Sequence, residues 1–193
     1  IKMSKSKGNV VSPDDLVRDY GCDSLRMYEL FVGPPELDAE WDDRGIDGVN
    51  RFLKRVRNLV MDSKDADITA TKEMIKERHK LVYDVTTRLE SFSLNTVISG
   101  FMEYNNKFME IAKKEGGIDK ETLETIAVLL SPFAPHFAEE MWEQLGHEET
   151  IFNAGWPKYD ENEMKDDEIK IPVQINGKTK AVISVPVSYT HLR

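Results

Sequence analysis

Two kinds of side chain interleave in the stretch Asn50-Arg51-Phe52-Leu53-Lys54-Arg55-Val56-Arg57-Asn58-Leu59-Val60. On a helix with 3.6 residues per turn, the apolar and the cationic side chains of this stretch separate onto different faces. The apolar face consists of Phe52, Leu53, Val56, Leu59 and Val60, and the polar face consists of Arg51, Lys54, Arg55 and Asn58. The pattern predicts a long helix from Asp43 to about Asp62 that buries one face and exposes the other.

Helical spacing predicts further helices on both sides of this one. Ser12-Pro13-Asp14-Asp15 is a strong helix start with Ser12 as the expected cap, and Gly21 should end that short helix. The other predicted helices cover 23–32, 71–90, 93–114, 119–130 and 134–145. Because the links between the long helices are short and polar, we expect a mainly α fold built as a helical bundle. The expected core includes Phe92, Leu94, Val97, Phe101 and Met102.

A strand pattern follows the helices after a strongly acidic stretch. The acidic residues 159–168 are interpreted as a linker. Beyond them, alternating apolar residues and the pair Asn176-Gly177 predict a β-hairpin over 169–187 with a type I′ turn. Pro172 places its strand at a sheet edge or at a bulge. Because a lone hairpin is marginally stable in water, we interpret it as the opening of a truncated domain.

Composition limits the classes of function. The 193 residues carry 26 Lys and Arg against 35 Asp and Glu, a net charge of −9, so any nucleic acid must bind at a local basic face. Cys22 is the only cysteine, which excludes an internal disulfide and a cysteine-based zinc site. The four histidines lack metal-ligand spacing, and no apolar run approaches a membrane span. We therefore expect no metal site, no membrane contact and a reducing, cytoplasmic setting.

A compact cationic loop opens the sequence, which reads Ile1-Lys2-Met3-Ser4-Lys5-Ser6-Lys7-Gly8-Asn9. Lysine ammonium groups and serine hydroxyls suit phosphate oxygens, and glycine allows a sharp turn. The loop is a candidate grip for a triphosphate, with Lys5 as the main residue and Lys2 as its support. Met3 would either pack beside an adenine or anchor the loop to the core. Taken alone, a basic pentapeptide is more typical of a solvated surface loop.

The cationic face of the long helix also has two interpretations. Arg51, Lys54 and Arg55, with Arg57 nearby, are candidates for contacting RNA phosphates, which requires spaced cations and little sequence reading. Composition alone favours the alternative, a solvated helix face whose cations are paired with neighbouring carboxylates. The remaining polar and aromatic residues receive structural interpretations. These are a helix start for His136, core and packing positions for Trp142 and Trp156, and an exposed helix face for Glu139, Glu140 and Glu143.

Several motifs, in order, resemble class I aminoacyl-tRNA synthetases of the leucyl, bacterial type. Residues 2–6 match the KMSKS signature letter for letter, and Lys7 stands where isoleucyl and valyl relatives usually carry leucine. Further matches are Tyr20-Gly21-Cys22-Asp23-Ser24-Leu25-Arg26, Asn50-Arg51-Phe52-Leu53-Lys54-Arg55-Val56, Ser131-Pro132-Phe133-Ala134-Pro135-His136 and Val173-Gln174-Ile175-Asn176-Gly177-Lys178. The resemblance covers nearly the whole chain.

The resemblance implies a bundle of the anticodon-binding type, preceded by a remnant of the catalytic core and followed by the hairpin. We expect a piece of a longer protein, because the sequence opens inside the signature motif. The expected organisation is the end of a Rossmann catalytic domain with the signature loop and a stem-contact segment (1–42), the helical bundle (43–158), the linker (159–168), the first strands of a truncated domain (169–187) and a tail foreign to the natural protein (188–193).

For function, the resemblance implies part of a leucine–tRNA ligase. Lys5 and Lys2 would be catalytic, and the ATP-binding residues would be Lys2, Met3, Ser4, Lys5 and Ser6, with Mg²⁺ expected in the full-length enzyme. Arg51, Lys54 and Arg55 would face tRNA(Leu). The HIGH motif, most of the leucine pocket and the editing domain are missing, so this segment alone is expected to be an inactive monomer. The alternatives are an isoleucyl, valyl or methionyl enzyme, or a non-catalytic helical tRNA-binding or scaffold module.

Overall fold

A computed structural model describes residues 3–34, 36–165, 168–175 and 178–186. Within these ranges the chain forms a bundle of seven α-helices and a two-stranded antiparallel hairpin. The helices are α1 (Pro13–Tyr20), α2 (Cys22–Phe31), α3 (Asp43–Ser63), α4 (Lys72–Glu90), α5 (Leu94–Glu115), α6 (Lys120–Leu130) and α7 (Pro135–Gln144). Short 3-10 helices cover Lys5–Lys7 and Ile151–Asn153, and the strands are β1 (Glu168–Ile175) and β2 (Lys178–Pro186). The prediction of a mainly α helical bundle is confirmed.

The predicted apolar face of α3 forms part of a continuous core. Its five residues are each at most 6% exposed, namely Phe52, Leu53, Val56, Leu59 and Val60. α4 pairs with α5, α6 packs on α4 and α7, and α2 packs against both α3 and α5. Removing apolar surface from water is the main favourable term in folding, so this burial decides which face of α3 points to solvent.

Side chains cap three of the helix starts. Asp42, Thr71 and Asp119 each accept a hydrogen bond from a backbone N–H in the first turn of α3, α4 and α6 respectively. The predicted cap at Ser12 is wrong, because this residue makes no side-chain hydrogen bond to α1. Pro13 at the first helical position has no N–H, so α1 starts with one backbone donor fewer to satisfy.

The prediction that Phe92 lies in the core is also wrong. Its side chain is 60% exposed, and its φ of 55° places it in the left-handed region, in the turn between α4 and α5. Backbone N–H groups of this turn donate to the last carbonyls of α4, so the geometry of the turn decides where the ring points. Of the other named core residues, those buried are Val97 and Phe101, and those half-buried are Leu94 and Met102.

α2 and α3 meet where a glycine makes room for an aromatic ring. A Cβ atom at Gly45 would overlap the ring of Tyr28, so a larger residue would push the two helices apart. The Tyr28 hydroxyl donates to the carbonyl of Asp42 at 2.7 Å, and its ring packs edge-on against Trp41. These contacts lock the first turn of α3 to α2 and so position the exposed face of α3.

The predicted hairpin is confirmed in the residues that the structure describes. Its two antiparallel strands change register between Val173 and Gln174. Pro172 therefore lies on an edge strand beside a bulge, where its missing N–H costs least. The predicted turn at 176–177 and the predicted strand end and tail at 187–193 lie outside the described residues.

The described residues lack the features of a membrane span and of a metal site. None of the described helices is both long and apolar enough to cross a bilayer. The same residues contain no group of three His, Cys, Asp or Glu side chains that could hold a metal ion.

Candidate nucleic-acid interface

The exposed face of α3 presents four cationic side chains to solvent. Arg51, Lys54, Arg55 and Arg57 are all exposed. At 100° per residue they fall within an arc of roughly 160°, opposite the buried apolar face. Residues 48–61 contain no Asp or Glu, so no acidic side chain of this part of the helix interrupts the cationic arc.

Arg55 is held against α5 by neutral acceptors. Its Nη2 donates to Asn106 Oδ1 at 2.6 Å, and its Nε lies 3.3 Å from the Met109 sulfur. Arg51, one turn earlier, donates from Nε to the backbone carbonyl of Asp47 at 3.3 Å. Among the described residues, neither arginine has a carboxylate within ion-pair distance. Both guanidinium groups are therefore oriented while their charge remains uncompensated.

Several cations of α4, α5 and α6 have carboxylate partners. Arg78 of α4 is nearly buried and lies 3.3 Å from Asp119 and 2.8 Å from Glu121. Further pairs are Arg88–Asp84, Lys107–Glu77, Lys114–Glu73 and Lys120–Glu124. The interpretation of cations paired with neighbouring carboxylates thus describes α4, α5 and α6, and does not describe Arg51, Lys54 and Arg55.

Lys54 and Arg57 line a cleft between α2, α3 and α7 with a volume of about 410 Å³. Lys54 has no hydrogen-bond or ion-pair partner in the part of the chain that the structure describes. Arg57 Nε lies 3.5 Å from Glu140 Oε1 on α7, and both of these side chains are about half exposed. The cleft thus offers one unpaired cation and one weakly paired cation.

A buried carboxylate fixes one wall of this cleft. Asp23 of α2 is 8% exposed, and its Oδ2 accepts the backbone N–H of Phe137 at 2.6 Å. Its Oδ1 lies 3.0 Å from Nδ1 of His136, which is a helix-start residue as predicted. Asp23 thereby caps α7 from another helix. Sequence reasoning missed this cap because the partners lie 113 residues apart along the chain, beyond the reach of any local pattern.

The interpretation of Glu139 as an exposed residue is wrong. Glu139 is half-buried, and its carboxylate accepts the Ile151 N–H and the Thr150 hydroxyl, each at 3.1 Å. It therefore caps the 3-10 helix at Ile151–Asn153 from α7, as Asp23 caps α7 from α2. Glu140 and Glu143 are exposed, as predicted.

The two predicted packing tryptophans lie in different surroundings. Trp142 is half-buried and stacks on His147 with ring centroids 3.6 Å apart. Trp156 is 40% exposed, and its indole N–H donates to Thr86 Oγ1 at 2.9 Å on the surface of α4. The expectation that Trp156 lies in the core is therefore wrong, because its indole N–H finds its partner at the edge of the bundle rather than inside it.

The N-terminal loop folds into a tight turn. The Ser4 N–H donates to Asn9 Oδ1 at 2.9 Å, and the Ser4 and Ser6 hydroxyl oxygens lie 3.1 Å apart. Gly8 has a φ of 64°, which supports the sharp turn expected from the sequence. The turn thus places two neighbouring hydroxyl groups on an exposed loop, a donor set that suits phosphate oxygens.

The candidate catalytic lysines differ in what the structure describes. Lys5 begins the 3-10 helix Lys5–Lys7, and Lys2 lies outside the described residues. Met3 is 41% exposed, which does not support its interpretation as a core anchor. The chemical roles of these residues remain predictions.

Two family models match the chain. Residues 71–191 match the anticodon-binding domain of tRNA ligase, and residues 1–42 match the class I tRNA synthetases for I, L, M and V. α3 and its cationic face lie between these two ranges.

Curated relatives described as leucine–tRNA ligase align with almost the whole chain. The relative from Fervidobacterium nodosum is 46% identical over 96% of this chain and 24% of its own length. The one from Thermosipho melanesiensis is 44% identical over the same shares, and the one from Rhodopirellula baltica is 43% identical over 95% and 20%. The chain thus spans a quarter or less of the length of these relatives.

A solved structure shares the fold. It is the crystal structure of the ternary complex of Agrobacterium radiobacter K84 agnB2 LeuRS-tRNA-LeuAMS, which superposes with a TM-score of 0.81 at 30% identity. The superposition covers 96% of this chain and 26% of that one. Because the anticodon-binding model matches more than half of the sequence, the chain belongs to the family of anticodon-binding domains of tRNA ligases.

Proposed function

We propose that this chain is part of a leucine–tRNA ligase, in which the helical bundle docks tRNA(Leu) and the N-terminal loop serves the activation of leucine by ATP. The likeness to leucine–tRNA ligases along almost the whole chain supports this assignment over the isoleucyl, valyl and methionyl alternatives. The observation that carries the docking role is the exposed cationic face of α3, whose Arg51, Lys54 and Arg55 lack carboxylate partners among the described residues.

Docking on this face follows from phosphate electrostatics. Each lysine or arginine that neutralises a phosphate releases condensed counterions, so affinity comes from unpaired cations and falls with salt. A cation that is already paired with a carboxylate contributes little to the affinity for RNA, since the phosphate must first displace the carboxylate. The face of α3 presents only cations and amides between residues 48 and 61, which suits contact with the RNA backbone rather than with base edges.

The loop is proposed to act on the triphosphate of ATP, which is expected to bind with Mg²⁺ in the intact enzyme. The leucine carboxylate attacks the α-phosphate, and negative charge moves onto the departing pyrophosphate. A lysine at position 5 that meets those oxygens best in the transition state lowers the barrier, with Lys2 as its support. The adjacent hydroxyls of Ser4 and Ser6 supply further donors. Met3, which is partly exposed, is proposed to pack beside the adenine.

The domain organisation follows from the same assignment. We propose that 1–42 completes a catalytic domain, that 43–158 is the tRNA-docking bundle and that 159–168 links it to the strands of a further domain at 169–187. The chain by itself is expected not to catalyse aminoacylation, since the remaining catalytic elements of such a ligase are proposed to lie in the rest of the parent protein.

Docking is tested by measuring tRNA(Leu) binding to this chain at several salt concentrations. Replacing Arg51 and Arg55 with alanine should weaken binding on the order of fifty-fold at 0.1 M salt and reduce the slope of log K against log salt by about 1.8. The matched control replaces Lys114 and Lys120 with alanine. It removes the same amount of charge from exposed positions whose lysines are paired with carboxylates. Equal losses in the two double variants would show that only net charge matters and would refute the docking face.

The role of the loop is tested in the intact ligase by ATP–pyrophosphate exchange. Lys5→Ala should slow leucine-dependent exchange at least a hundredfold, which corresponds to about 2.7 kcal/mol of transition-state stabilisation. Lys7→Ala, in the same turn and of the same charge, is the control and should change the rate little. An unchanged rate for Lys5→Ala, or faster exchange with isoleucine, valine or methionine than with leucine, would contradict the assignment.

A further inference from the structure

We infer that the cleft between α2, α3 and α7 is a second RNA-binding element, which takes one phosphodiester group of the bound RNA between Lys54 and Arg57. This inference rests on the proposed docking function and divides its cations into two sets. Arg55 lies against α5, where Asn106 and Met109 hold it, and Arg51 lies one turn earlier on α3. Lys54 and Arg57 line the cleft on the other side of the same helix.

Lys54 is the first reason to assign the cleft to a phosphate. Other exposed lysines of the bundle, namely Lys107, Lys114 and Lys120, each have a carboxylate within ion-pair distance. Lys54 has none within the described ranges, although it borders a cleft with two carboxylates. The ammonium group therefore keeps its full charge and its three donors for an incoming anion.

The two carboxylates of the cleft do not repel such an anion strongly. Both oxygens of Asp23 are engaged, one by the Phe137 N–H and one by the His136 ring, so its charge is partly neutralised and turned away. Glu140 faces Arg57 at 3.5 Å with both side chains about half exposed. An exposed ion pair of this kind contributes little to stability, so a phosphate can replace Glu140 on Arg57.

His136 completes the cleft as a fixed wall. Its Nδ1 is held by the buried Asp23, while the side chain as a whole is 78% exposed. Holding one ring nitrogen sets the orientation of the other, so Nε2 faces outward without a partner among the described residues. A cleft of about 410 Å³ with a free lysine, a displaceable arginine and an oriented imidazole has room for a phosphodiester with its ribose.

Cys22 provides a direct test, because this sole cysteine is exposed and lines the same cleft. The rate at which iodoacetamide alkylates Cys22 is measured in the 193-residue chain with and without tRNA(Leu). With tRNA at ten times its Kd, about one-eleventh of the protein is free, so the rate should fall about tenfold if the RNA occupies the cleft. In the double variant Lys54→Gln with Arg57→Gln, measured at ten times its own Kd, the protection should be lost.

Two further variants separate occupancy from general charge and from misfolding. The pair Lys114→Gln with Lys120→Gln removes the same charge elsewhere and should keep the tenfold protection. Glu140→Gln frees Arg57 without changing the size of the side chain, and it should strengthen binding about threefold while preserving protection.

The outcomes distinguish a failure of this inference from a failure of the docking proposal on which it rests. The assignment of the cleft to RNA is overturned if tRNA binds while the rate of Cys22 alkylation is unchanged. It is also overturned if protection survives in the Lys54 and Arg57 double variant. Either result leaves docking on Arg51 and Arg55 intact. Absence of tRNA binding at low salt overturns both.

Discussion

Lysine and arginine side chains have different surroundings on the two sides of the bundle. Between α4, α5 and α6, Arg78 is nearly buried against Asp119, and Lys107 lies 2.8 Å from Glu77. On α3, Arg55 is held by an amide and a thioether, and Lys54 stands free in the part of the chain that is described. The cations of the first side hold helices together, and those of the second side remain available to a partner.

This difference shows that position along a helix does not reveal whether a charge is structural. Both sides read as amphipathic helices with lysine and arginine on the polar face. The distinction arises from the neighbouring helix, which supplies carboxylates to α4 and neutral acceptors to Arg55.

Replacing Arg78 with methionine should reduce the free energy of unfolding by about 3 kcal/mol, because it leaves the buried Asp119 carboxylate without its cation. Urea denaturation monitored by circular dichroism measures the loss. Arg55→Met is the matched control on the other side and should change stability by less than about 0.5 kcal/mol. If the two variants lose equal stability, the division into structural and available cations is wrong.

Replacing Asp23 with alanine should cost about 2 kcal/mol of unfolding free energy, since the Phe137 N–H and the His136 ring both lose a charged acceptor. The same denaturation experiment measures it. Asp14→Ala, on the exposed face of α1, removes an equal charge and should be nearly neutral. A neutral Asp23→Ala would mean that α7 needs no cap from α2.

Replacing Asn106 with alanine should weaken tRNA binding about threefold, the effect of losing one modest hydrogen bond that orients Arg55. Stability should remain within about 0.5 kcal/mol of the original protein, since both groups are exposed. Filter binding and urea denaturation of the same preparations measure the two quantities. Asn106→Asp is the informative partner variant: it would turn Arg55 into a carboxylate-paired cation, so binding should fall further while stability does not.

The smallest expected effect concerns pH and the start of α3. Hydrogen bonds from the Arg44 side chain and backbone N–H hold the pKa of Asp42 below its ordinary value. Because the folded-state pKa is the lower one, this contribution is present above the unfolded value of about 3.9 and is lost as pH falls through the folded value. The gap in thermal midpoint between the original protein and Asp42→Ala should therefore be constant from pH 5 to 7 and shrink below about pH 4. A gap that widens on acidification would contradict the role of the ionised cap.

Local sequence patterns anticipated most of the fold. The apolar positions of α3 were identified because a 3.6-residue period marks one face, and the hairpin was identified by strict alternation around Asn176-Gly177. Two of the failures share one cause. Polarity alone predicts that Phe92 is buried and that Glu139 is exposed. In the structure a left-handed turn exposes Phe92, and Glu139 is half-buried where it accepts the N–H of Ile151.

Periodicity within a single segment is enough to predict the helices and the hairpin strands. It also predicts that Arg51, Lys54 and Arg55 share a solvent-facing arc. Only the tertiary structure decided which cations are paired, that Asn106 holds Arg55 and that Cys22, Lys54 and His136 border one cleft. Those relations join residues on different helices. Electrostatic pairing depends on distance in space, and packing alone brings such residues together.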